Sequence, residues 1–80
     1  MRLDKYLKVS RLIKRRTLAN EACDAGRVLV NDKVARASTP VKVGDVIEVQ
    51  FGSGSNRVRV LDVKEHVRKE DSAAMYEGIS

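Results

Sequence analysis

The chain reads as an α+β protein: two N-terminal helices packed on a small, mainly antiparallel sheet. Three observations predict this. Apolar residues recur with helical spacing up to Ala25 and with period two from Arg27 onward. Gly26 stands at the change of period, where a helix would stop. Two short turn-forming pairs, Asn31-Asp32 and Gly44-Asp45, then punctuate the β half.

Each element has a local reason. Residues 2–9 form the first expected helix, because Leu3, Tyr6, Leu7 and Ser10 follow the i, i+3, i+4, i+7 spacing. Asp4 sits in its first turn, where the helix dipole favours an acid, and lies four residues before Lys8. Leu12 and Ile13 suit a bend. A second helix is expected from Arg15 or Thr17 to Ala25, with Leu18, Ala22 and Ala25 on one face and Ala19 and Cys23 beside them. Its small side chains allow close approach to a neighbour. Residues 27–30 then read as a strand, Asn31-Asp32 as a tight turn, and residues 33–38 as a short irregular return strand. Pro40 interrupts any ladder. Val46, Ile47, Val49 and Phe51 mark a longer strand, residues 52–56 a flexible loop, and Val58, Val60, Leu61 and Val63 a closing strand. Residues 1–63 are the expected domain, with about four strands, a common sheet size. Residues 64–80 have few apolar anchors and read as a frayed or weakly docked tail that the domain can lose.

Composition bounds the function. Eighty residues make one domain. Such a chain buries roughly 60% of its extended surface, which leaves little room for a deep catalytic cavity. Twelve Val, six Leu and three Ile against three aromatics describe an aliphatic core. Cys23 is the single cysteine, and no long apolar run is present, so a reducing, cytoplasmic setting without a membrane is expected. Enzyme readings lack parts: His66 is the only histidine, no Cys/His cluster has zinc spacing, and no paired acids are evident. Gly52-Ser53-Gly54 joins two strands and is not followed by a P-loop lysine and helix.

Charge is the informative quantity. The net charge is +5, but residues 1–42 hold eleven Lys/Arg against four Asp/Glu, whereas residues 43–80 hold five against seven. Within residues 1–16 there are seven bases and one acid. Such segregation makes a basic face suited to a polyanion. Lys5 and Lys8 share a helix face, and Arg11, Lys14, Arg15 and Arg16 gather at the junction between helices. Two arginines at a helix start oppose the dipole, so a compensating role is expected. Guanidinium forks beside free backbone N–H groups grip phosphate, although a salt bridge from either arginine to Asp4 or Glu21 is the plainer alternative. With three aromatics, base stacking is a minor mode, and structured RNA held by shape and phosphates fits better.

The stretch "RLDKYLKVSRLIKRRTLANEACDAGRVLVNDK", followed by "VKVGDVIEV", resembles the S4 RNA-binding domain, or alpha-L motif. The shared features are Arg2-Leu3-Asp4, Arg15-Arg16, Gly26, Val28-Leu29-Val30-Asn31 and Gly44-Asp45. Asn31-Asp32 departs from the Asn-Gly more usual in the family, which bears on the turn type alone. Among stand-alone members the chain is most similar to RqcP, the small S4 factors of bacterial ribosome-associated quality control, and this likeness extends into "KEDSAAMY". The resemblance implies a non-enzymatic monomer without a cofactor. It implies binding to large ribosomal subunit rRNA and peptidyl-tRNA on obstructed subunits, beside a NEMF-like factor that adds C-terminal alanine. It adds Arg2 and Asp4 to the candidate RNA-binding residues, which become Arg2, Asp4, Lys5, Lys8, Arg11, Lys14, Arg15 and Arg16. Three alternatives stand beside it. One is a heat-shock-type S4 protein rescuing stalled large subunits, a family with a longer and more basic C-terminal extension. The others are a protein-interaction adaptor with a basic face and the detached targeting domain of an RNA-modifying enzyme.

Overall fold

The computed structural model describes residues 1–79. Helix α1 spans Leu3–Val9 and helix α2 spans Arg16–Asp24. Strands β1 (Val28–Val30), β2 (Lys33–Val34), β3 (Val46–Phe51) and β4 (Gly54–Val60) follow. A 3-10 helix over Lys69–Met75 leads into β5, Tyr76–Ile79. The strands form one antiparallel sheet in the order β2-β1-β3-β4-β5. The α+β expectation therefore holds, with five strands where about four were expected.

Leu3, Tyr6 and Leu7 of α1 are wholly buried, as are Val28 and Ile47 of the sheet, and together they form the centre of the core. The first N–H groups of α1 lack intrahelical acceptors. The Leu3 N–H donates to the Thr39 carbonyl at 2.8 Å and the Asp4 N–H to the Ala37 carbonyl at 3.1 Å. The loop from β2 to β3 thus caps the helix that begins the chain.

α2 ends as its sequence predicts. Gly26 has φ +73°, its N–H donates to the Cys23 carbonyl, and the Arg27 N–H donates to the Ala22 carbonyl, which is a Schellman motif. α2 buries Cys23, as expected, but not the Leu18 and Ala25 side of the expected face. Ala19 and Cys23 are buried, whereas Leu18 is 47% exposed and Ala25 is exposed. Apolar residues surround much of this helix, so spacing alone leaves its orientation open. The narrow Ala19–Cys23 stripe wins because it lets α2 lie close to α1.

Two turns are tied together. Asn31 (φ 51°) and Asp32 (φ 68°) are both left-handed, as a type I′ hairpin requires. The Asn31 side-chain amide donates to Asp45 Oδ1 at 3.1 Å, and its carbonyl accepts from the Val46 N–H at 3.0 Å. Asp45 Oδ2 accepts from the Lys42 N–H at 3.0 Å, and the buried Asp45 is thereby satisfied.

Two expectations are corrected. Residues 52–56 are not a loop: Phe51 pairs with Gly54, so the β3–β4 hairpin turns on Gly52-Ser53 and runs regularly through Asn56. β4 ends at Val60, with Leu61 and Val63 outside it. The tail is not frayed either. Met75 is 1% exposed and β5 pairs with Arg57–Val60. The Met75 carbonyl accepts from the Tyr6 hydroxyl at 2.8 Å and from the Leu61 and Asp62 N–H groups at 2.8 and 3.2 Å. Burial pushes the Tyr6 phenol well above its ordinary pKa, with Tyr76 and Asp62 adding to the effect, so it remains a donor at physiological pH. Few anchors suffice because one of them, Met75, fills the core and receives three hydrogen bonds.

Two outcomes are expected. Asp32→Gly removes the side chain from a left-handed position and should stabilise by about half a kcal/mol, raising Tm by about 2–4 °C in a thermal melt. Truncation after Glu70 removes Met75 and β5 and leaves the buried Tyr6 hydroxyl without its partner. Loss of a buried Met side chain alone costs about 2–5 kcal/mol, comparable to the whole stability of a small domain. The truncated chain should show no cooperative transition, and an unchanged melt would restore the loose-tail reading.

Candidate nucleic-acid interface

The basic residues do not form one groove. They separate into two clusters, with Arg15 exposed at the α2 N-cap in extended conformation.

The first cluster surrounds Asp4, whose side chain is 3% exposed. Oδ1 accepts from Arg2 Nε at 3.2 Å, the Lys5 N–H at 2.8 Å and Arg16 Nη2 at 3.5 Å. Oδ2 accepts from Arg2 Nη2 and the Asn20 amide, each at 3.4 Å, and faces Arg16 Nε at 3.3 Å. Burial pushes the carboxyl up, but hydrogen bonds from Arg16, Asn20 and the Lys5 N–H outweigh it, and its pKa falls below the usual carboxylate value. The two arginine side chains remain 52% and 47% exposed. One edge of each guanidinium is thus fixed by a buried anion while the rest meets solvent. This arrangement can present two planar forks to phosphate with little freedom left to lose.

It also explains the arginine at the start of α2, which has no acid in its first turn. Asp4 of α1 supplies the missing negative charge through space. Of the two acids considered as partners for Arg16, Asp4 is the one it pairs with. Asn20 is a further member of the site that charge alone does not single out. Its signal was spacing: it follows Arg16 by four residues and so shares its helix face. Beside this cluster an open cleft of about 560 Å³ runs between α2 and β2, lined by Arg2, Asn20, Asp24, Val34 and Arg36 among others. Cys23 lines it too, but burial first, then Asp4 and Asp24, push its thiol up to about 11, so it is no nucleophile at neutral pH.

The second cluster lies at the C-terminal end of α1. Lys8, Arg11 and Lys14 line a cavity of about 320 Å³ with Val9, Glu65, His66 and Val67. Lys5 pairs with Glu65, and this ion pair holds the Glu65 carboxyl below its ordinary pKa. Arg11 has φ +63° just past the end of α1, and its N–H donates to the Lys8 carbonyl. It occupies the position that Gly26 fills after α2. A side chain there costs about 1 kcal/mol.

Residues 1–47, which hold both helices, the first hairpin and the Asn31–Asp45 tie, match the S4 domain family. The chain belongs to this family. It is 56% identical over 80 residues to the RQC P-site tRNA stabilizing factor of Streptococcus pneumoniae, covering all of this chain and 91% of that protein. It is 54% identical over 76 residues to the factor of the same name from Bacillus subtilis, covering 95% and 88%. Among solved structures, Heat Shock Protein 15 of Vibrio cholerae, described as trimeric, superposes with a TM-score of 0.92 at 26% identity, over 100% of this chain and 82% of that one. The Asp4 cluster falls inside the S4 match, whereas Glu65 and His66 fall beyond it. No helix among the described residues is long and apolar enough to cross a membrane.

The S4 cluster has a pH signature. The folded pKa of Asp4 lies below the unfolded value of about 3.9, so ionised Asp4 stabilises the fold above that value. The contribution is lost as pH falls through the folded pKa. Asp4→Asn should therefore cost about 1–3 kcal/mol at pH 7 and progressively less below about pH 4. Urea unfolding of both proteins across this range measures the gap, and a gap independent of pH would contradict the assignment.

Proposed function

We propose that this S4 protein is a non-enzymatic RNA-binding factor of bacterial ribosome-associated quality control, acting in the cytoplasm. In this reading it binds obstructed large ribosomal subunits as a monomer, contacting rRNA and the P-site peptidyl-tRNA. It holds the tRNA between rounds of C-terminal alanine addition by a NEMF-like factor and needs no cofactor. The observation that carries the reading is the Asp4-centred cluster: two half-exposed guanidiniums aligned by one buried carboxylate. Prealigned forks lose little entropy on closing around phosphates, which favours a clamp over a loose electrostatic contact. The names borne by relatives of high identity, RQC P-site tRNA stabilizing factor, support the same role.

A second reading, a heat-shock-type rescue factor for stalled large subunits, is favoured by the likeness of fold to Heat Shock Protein 15 across the whole chain. A reconstituted alanine-tailing reaction separates the two: the first requires that adding this protein increase tail length.

Co-sedimentation with large ribosomal subunits over a salt series tests the interface. Arg16→Ala should weaken association about ten-fold, make the salt slope shallower by about one, and destabilise slightly because Asp4 loses a donor. Arg15→Ala added to it should deepen the binding defect. Asp4→Arg adds positive charge yet should abolish association, because the forks lose their anchor. Ordinary association by a folded Arg15→Ala/Arg16→Ala protein would refute the site.

A further inference from the structure

The cluster at the end of α1 has a feature that the first cluster lacks: an acid brought from a distant part of the chain. Glu65 belongs to the crossing segment after β4, yet it pairs with Lys5 and lines the cavity shared by Lys8, Arg11 and Lys14. Those three cations have no ion-pair partner among the described residues, and all three are exposed. The Glu65 side chain is 63% exposed, so it is free to swing away. It presents a carboxylate to an ammonium, as a phosphate would.

Arg11 is a second and independent pointer. Both helices close on a left-handed residue, and α2 uses glycine for it. α1 uses an arginine, accepting a strained backbone at a place where its guanidinium lines this cavity. Such strain is retained where the side chain has work to do.

We propose that this cavity is a second RNA phosphate-binding pocket, in which Lys8, Arg11 and Lys14 hold a backbone phosphate and Glu65 is an internal competitor that the RNA displaces from Lys5. The inference rests on the RNA-binding reading above and extends it. The two clusters then hold two separate phosphates. The first is always open, and the second opens against the Lys5–Glu65 pair. Weak binding to RNA that fills only the first cluster, and tighter binding to RNA that reaches both, follow from this layout.

The test uses the full chain with two probes: large ribosomal subunits without tRNA, by co-sedimentation, and free tRNA, by filter binding. Thermal melts accompany every variant. Glu65→Gln should tighten binding to at least one probe by about two- to five-fold at low salt, the range of an exposed ion pair, and the gain should fade as salt screens it. Lys8→Gln/Lys14→Gln should weaken binding to that same probe. Arg11→Gly should raise Tm while weakening binding, which a merely structural residue would not do. The probe that responds identifies the source of the phosphate, rRNA or tRNA. If Arg16→Ala lowers affinity while Glu65→Gln and Lys8→Gln/Lys14→Gln bind as the unaltered chain does, the second pocket is overturned and the RNA reading stands. If the unaltered chain binds neither probe, the RNA reading falls and takes the pocket with it.

Discussion

A buried carboxylate must be matched by donors, and in this protein that requirement organises the N-terminal half. Asp4 receives hydrogen bonds from residues 2, 5, 16 and 20, so it joins the chain before α1, the first turn of α1 and two turns of α2. Every donor is placed by an element whose own geometry depends on the others. The loop that caps α1 fixes where Asp4 sits, and the small stripe Ala19–Cys23 lets α2 come close enough for Arg16 and Asn20 to reach it. A buried carboxylate paired with half-exposed arginines adds little net stability, yet removing a donor is costly because the charge is then less compensated. The two arginines are therefore held in place by the fold.

What could be read from the sequence was what local physics determines. Gly26 ends α2 in the predicted motif because few other residues adopt that conformation cheaply. Asn31-Asp32 forms the expected turn, and the structure adds why Asn31 and Asp45 occur together: one side chain bonds the other across the β1–β3 junction. The buried side of α2 is legible at Cys23 but not at Leu18 and Ala25, since several apolar stripes are available and only packing chooses among them. The tail was misread for a related reason. Its order comes from the β4–β5 ladder and from the Met75 carbonyl and side chain meeting residues distant in sequence, and no periodicity announces such contacts.

The basic segment shows the same division. Its excess of charge was plain, and so was its suitability for a polyanion. Its partition into two clusters was not, because the acids that divide it lie at opposite ends of the chain. Asp4 is buried and keeps its arginines facing outward, whereas Glu65 is exposed and occupies a lysine. The same ionic chemistry thus serves alignment in one place and occlusion in the other, and burial decides which.

The bond from the Tyr6 hydroxyl to the Met75 carbonyl spans 69 positions in the chain. During synthesis, the residue at the centre of α1 emerges from the ribosome long before its acceptor exists. Closing a loop of that length costs about 4 kcal/mol of chain entropy, recovered only when Met75 and β5 arrive. Until then α1 lacks the last wall of its core. The late arrival of Met75 thus makes the sealing of the core around α1 depend on the far end of the fold, so the first helix written in the sequence is among the last to be fixed.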